Sequence, residues 1–194
     1  GYQIDIKEAA TRSSVQGTVP LTQAMINAGE QLTFSEGGVT LNFETKAGEN
    51  VETTLNRLDK AIIHSGMEIE VIRTPGSAAN PHAPQLLRFR HKEYGSEHSF
   101  QVASNTLGVL SSRTDTPDTI KNGVDVSGYI GGELGLGRGQ ILTGSVPTKV
   151  SGLKVRYTGE YAPPPGTNAG TVTVAQNSLV FHVGPNPEQS TSFS

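Results

Sequence analysis

The chain has 194 residues, of which 34% are hydrophobic and 17% charged, with 23 Gly, 11 Pro and a formal net charge of −3. That balance lacks the basic footprint of a nucleic-acid binder. No apolar run approaches the roughly 20 residues that cross a bilayer. There is no Cys, which removes disulfides, thiolate zinc sites and cysteine nucleophiles.

Taken from the start, "YQIDIK" sets Tyr2, Ile4 and Ile6 against Gln3, Asp5 and Lys7, the two-residue period of a half-buried strand. No signal-peptide pattern precedes it, so the chain reads as soluble or as a piece of a longer protein. After Pro20, Leu21, Ala24, Met25 and Ala28 form a short helical stripe that Gly29 stops. In "QLTFSEGGVTLNFET", Leu32 and Phe34 alternate with polar neighbours, as do Val39, Leu41 and Phe43. Gly37-Gly38 between them predicts a tight hairpin turn.

The main helix follows at about 51–65. Val51, Leu55, Leu58 and Ile62 recur at steps of four, three and four, one face of a 3.6-residue period. Asn50 is placed to cap its start and Gly66 its end. Met67, Ile69 and Val71 then alternate with Glu68 and Glu70, and three prolines make 75–84 a loop. Residues 85–94 and 98–104 read as a strand pair around Gly95-Ser96. From Asn105 to Val150 turn residues dominate. Leu153, Val155 and Tyr157 mark another strand, and residues 171–184 supply two more with a break near Gln176-Asn177.

Candidate chemistry is sparse. The eight glycines at 123, 128, 131, 132, 135, 137, 139 and 144 invite a nucleotide-binding reading. The dinucleotide fingerprint fails, however, because Gly135-Leu136-Gly137 meets Gln140 and Gly137-Arg138-Gly139 meets Leu142 where the third glycine is required. No helix period follows either, so tight turns explain the glycines better. His91, Glu93, Glu97 and His98 form a conceivable metal cluster, without any helical H-E-x-x-H motif. Glu68 and Glu70 share the polar face of a strand, which suits solvent better than an acid–base pair. Arg88, Arg90, His91 and Lys92 interleave with Phe89 and Tyr94, as in single-strand nucleic-acid binders. In an acidic chain, charge protecting a strand edge is the simpler account.

One stretch carries a resemblance. "GVDVSGYIGGELGLGRGQILTG" (123–144) resembles the flagellin hook IN motif through Gly123, Asp125, Val126, Gly128, Ile130 and Gly132. The match continues through Gly137, Gly139, Gln140, Leu142, Thr143 and Gly144. "NSLVFHVGPNPEQ" (177–189) resembles the flagellin segment L-x-F-Q-x-G-x-N-x-x-Q, with His182 in place of the usual Gln. The resemblance implies the central, outward-facing D2/D3 part of a bacterial flagellin, an extracellular structural protein of the motility filament. The filament cap, hook-associated protein 2, carries the same motif and is the nearest alternative; an adhesin or glycan-binding module is a more distant one. It implies no catalytic, cofactor-binding or metal residues and no cofactor. Its partners would be other flagellin subunits, not nucleic acid or membrane.

The expected fold is α+β and β-rich, with antiparallel or mixed sheets around one main helix. Two small subdomains are expected. Residues 1–112 would form a β-β-α-β-type unit that includes the N-terminal strand. Residues 113–194 would carry the glycine motif and the C-terminal return strands. Both ends are expected on one side. In the glycine motif, Gly128, Gly132, Gly137 and Gly139 would permit tight reversals, while Val126, Ile130, Leu134, Leu136, Ile141 and Leu142 fill a small core. Valine at 137 or 139 is expected to lower stability by about 1 kcal/mol or more; unchanged thermal melting of both variants would refute this reading of the turns.

Overall fold

The computed structural model describes residues 1–75, 77–111 and 120–173, and the backbone of 179–182 and 190–193. In chain order the first half contains β1 (Tyr2–Glu8), β2 (Arg12–Gln16), α1 (Gln23–Ala28), β3 (Gln31–Glu36), β4 (Val39–Glu44), α2 (Val51–Ser65), β5 (Ile69–Val71), β6 (Arg88–Tyr94) and β7 (Gln101–Ser104). The second half contains β8 (Ser127–Ile130), β9 (Glu133–Arg138), β10 (Ile141–Gly144), β11 (Lys154–Arg156), β12 (Gly170–Val172), β13 (Leu179–His182) and β14 (Ser190–Phe193). Every described pairing between these strands is antiparallel. The fold is therefore α+β with one main helix, as the sequence leads one to expect.

Local chemistry explains the clearest elements. Asn50 accepts the Thr53 amide at 2.7 Å and so caps α2. Gly66, at φ 78°, closes its other end. The predicted stripe Val51, Leu55, Leu58 and Ile62 is buried throughout. β3 and β4 form the expected hairpin, from Gln31 opposite Glu44 to Glu36 opposite Val39. Gly37 and Gly38 turn it at φ 55° and 84°, angles that match the twist of a two-residue hairpin. α1 is shorter than its predicted stripe and faces differently. Ile26 is buried, whereas Ala24 and Ala28 are exposed, because Thr22 caps the helix and sets its phase.

Two hydrophobic cores result. The larger packs α2 with two three-stranded sheets, ordered β2-β6-β5 and β4-β3-β7. At its centre Phe34 and Phe89 meet edge to face, ring centroids 4.8 Å apart. The smaller core is backed by a sheet of order β11-β10-β9-β8-β1-β12 and contains Ile4, Ile6, Val126, Ile130, Leu142 and Val150.

Several sequence expectations change here. The sequence groups the N-terminal strand with residues 1–112, yet β1 lies inside the six-stranded sheet, Ile4 opposite Ile130. Alternation marks a strand but does not name its partner, and this partner lies in the second half of the chain. β6 and β7 do not pair with each other; they join different sheets, through β2 and β5 on one side and β3 on the other. β2 carries no apolar signal at its buried position, which is polar. The Ser13 hydroxyl donates to the His98 carbonyl and accepts from the Gly123 amide. β1 runs antiparallel to β12 with Tyr2 opposite Val172, which sets the N-terminus beside residue 173. The proposed break at Gln176-Asn177 lies outside the described residues.

The glycine-rich stretch is a meander of β8, β9 and β10. Gly132 and Gly139 do take positive φ, 83° and 55°. Gly128 and Gly137 do not; they allow backbones to touch. A Cβ at 137 would overlap the Val126 carbonyl oxygen. Side chains alternate along a strand, so with Gly135 and Gly137 inward, Leu134 and Leu136 point outward and are 58% and 66% exposed. Ile141 shares that face. These three were expected in the core; Val126, Ile130 and Leu142 are buried there as predicted.

Urea titration can separate the two environments. Leu58→Ala should cost about 2–5 kcal/mol, as buried leucine truncations do. Leu136→Ala should stay within about 0.5 kcal/mol, as surface changes do. A large loss at 136 would place it inside.

Candidate functional site

The two cores are joined by two stretches of chain lying side by side. Residues 9–14 lead from the smaller core to the larger, and residues 121–126 lead back. The Thr11 amide donates to Val124 O at 2.9 Å, and the Ser14 and Lys121 backbones exchange hydrogen bonds at 2.9 and 3.0 Å. At the returning end Asp125 collects three donors. These are the Gly139 amide at 2.7 Å, the Ser96 amide at 3.2 Å and the Ser96 hydroxyl at 2.5 Å. The Val126 amide in turn donates to Gly139 O at 2.8 Å. One carboxylate thus ties the β6–β7 connection to the β9–β10 turn. Gly95 makes the approach feasible, since a Cβ there would stand 2.9 Å from Gly139 Cα.

Burial pushes the Asp125 carboxyl up. The hydrogen bonds from Ser96 and Gly139, with the nearby Arg138 charge, outweigh burial and hold it below the usual aspartate range.

Beside this tie lies an open cleft of about 680 Å³ between the end of β6 and the β9–β10–β11 face. Arg138 pairs with Glu97 at 2.8 Å across it. Arg156 donates twice to Gln140 Oε1, at 3.2 and 3.0 Å. Gln140 is neutral, so the guanidinium is oriented without being neutralised. Lys154 lines the same cleft.

The sequence candidates fall into place around it. His91 and His98 do meet, their rings stacked 5.1 Å apart. The carboxylate against His91 is Glu36, not Glu93. His91 Nδ1 accepts the Glu93 amide at 2.9 Å while Nε2 faces Glu36. Both ring nitrogens are therefore engaged, with Nε2 as the donor. Among the described residues no group of three or more His, Asp or Glu is arranged to hold a metal ion.

Glu70 is held by Arg12 at 2.9 Å and by Arg90. Glu68 lies 3.7 Å from Lys92. Two members of the basic cluster, Arg90 and Lys92, thus pair with the two carboxylates, Glu70 and Glu68. Arg12 also covers the Tyr94 ring, 4.6 Å from its centroid. Asp125 itself is the residue whose role the sequence did not disclose. Its signal was the short spacing of acid and glycines in "GVDVSG" opposite the distant turn at Gly139.

No protein-family description matches the chain, and no curated protein does. Among solved structures the chain is similar to FliD (HAP2) of Pseudomonas aeruginosa PAO1, at 16% identity and a TM-score of 0.49, over 91% of this chain and 80% of that one. It is similar to the D2-D3 domains of the Escherichia coli flagellar cap protein FliD at 11% identity and a TM-score of 0.48, over 81% and 84%. It spans 45% of the longer D1-D2-D3 fragment of that protein, at a TM-score of 0.47. At such scores the likeness assigns neither activity nor partner to this chain.

Stability should report Asp125 directly. A carboxyl depressed in the folded state stabilises above its unfolded value and loses that contribution as pH falls through its folded value. Asp125→Ala should cost about 2 kcal/mol near neutrality, the scale of hydrogen bonds to a charged group. Below about pH 4 the gap between wild type and variant should narrow. Urea midpoints measured against pH would show it; a gap independent of pH would remove the carboxylate from this role.

Proposed function

We propose that this chain is a structural, non-catalytic outer domain of a bacterial flagellar subunit, carried outside the cell and associated with other flagellar subunits. The observation that carries the reading is what the motif-matching residues do. Gly137 accommodates the Val126 carbonyl, Gly139 turns β9 into β10, and Asp125 fastens that turn to the larger core. Asp125, Gly137 and Gly139, three of the residues that resemble the flagellin motif, are thus among those that build this junction. Among the described residues no helix is long and apolar enough to cross a membrane.

Two subunits fit. The segment 177–189 favours flagellin, although its side chains lie outside the described residues. The solved structures reported above are cap proteins, and that favours the cap, hook-associated protein 2.

Immunogold labelling of the source bacterium, with antibodies raised against this chain, distinguishes the outcomes by electron microscopy. Label along the filament is expected of flagellin, and label confined to the tip is expected of the cap. Flagella free of label would refute both.

A further inference from the structure

The smaller sheet leaves one face uncovered, and its composition is uneven. Cross-strand partners share a face. Leu136 lies opposite Thr143, Arg138 opposite Ile141, Thr143 opposite Lys154 and Ile141 opposite Arg156. One surface therefore presents Leu134, Leu136 and Ile141, 58%, 66% and 42% exposed, bordered by Arg138, Lys154 and Arg156. The cleft opens onto the basic border.

Glu93 and Glu97 line the far side of the cleft, at and beyond the end of β6; on the β9–β11 side the charge is unbalanced. Arg138 is matched by Glu97, but both are largely exposed. Arg156 meets only the Gln140 amide oxygen, and Lys154 has no acidic partner among the described residues. Two cations two residues apart on an edge strand thus stand beside an apolar strip in a chain whose net charge is −3.

The geometry points to this face of β9–β11 as a docking surface for a short, extended, acidic and apolar segment of a partner polypeptide. Carboxylates of the segment meet Lys154 and Arg156, and its apolar side chains lie over Ile141 and Leu136. Charge complementarity selects the acid. The leucines select a polypeptide over an anionic saccharide, whose charged and hydroxylated surface has no apolar side chains to bury against them. Of the two aromatic rings lining the cleft, Tyr94 is already covered by Arg12 and His98 is stacked on His91. This inference goes beyond the flagellar reading and does not depend on it; either test can fail while the other succeeds.

Titration of the full isotope-labelled chain by NMR tests the surface. The probe is a synthetic octapeptide alternating Glu and Leu. The comparison probes are the same peptide with Lys in place of Glu, an octapeptide of Glu alone and a sulfated oligosaccharide. Shifts confined to residues 134–156 are expected with the Glu/Leu peptide. Its affinity should fall at least about tenfold in Lys154→Glu/Arg156→Glu, and on raising salt from about 0.05 to 0.5 M. It should fall at least about threefold in Ile141→Ser, and the Glu-only peptide should bind at least about threefold more weakly. Melting temperatures of the variants would confirm that they remain folded. Equal binding of the Lys/Leu peptide, unchanged binding by a folded charge-reversal variant, or binding of the saccharide without the peptide would each overturn the proposal.

Discussion

The arrangement of this molecule depends on the hydrogen bonds that converge on Asp125. Two hydrophobic cores, each closed by its own sheets, meet through two antiparallel runs of chain rather than through a broad apolar contact. Such runs fix a direction but leave rotation to local ties. Asp125 supplies one by accepting from both sides, from Ser96 at the end of β6 and from Gly139 at the β9–β10 turn. The Ser13 hydroxyl, between His98 O and the Gly123 amide, supplies another. Glycine at 95, 123 and 137 is what lets four backbone segments come this close.

How far this could be read from the amino acids depends on whether a feature is local. α2 was legible from cap to cap because its apolar period and its caps, Asn50 and Gly66, each act on residues within about one turn of themselves. The β3–β4 hairpin was legible for the same reason. The partner of β1 was not, since Ile4 lies opposite Ile130, with the residues of the larger core between them in the chain. Nor was the separation of β6 from β7, two strands that are close in sequence and belong to different sheets.

The alternation Leu134-Gly135-Leu136-Gly137 shows a subtler limit. Hydrophobicity points the leucines inward, and in most strands that rule decides. Here the inner side of β9 is occupied by the Val126 carbonyl and the Leu142 side chain, so only residues without a side chain fit. Steric exclusion overrides transfer free energy, and the leucines turn to water. The histidine and glutamate candidates fail differently. The sequence brought His91 and His98 together correctly. It had no means of showing that Glu36, from the first hairpin, would take the imidazole, or that Arg12 and Arg90 would enclose Glu70.

The path of the chain has a consequence for how such a molecule can change over generations. Because β1 and β8 are neighbours, everything between them is a guest held by a host sheet. The guest hangs from two adjoining threads already laced to one another. A change in the length of the guest away from these threads leaves the pairing of β1 with β8 geometrically untouched.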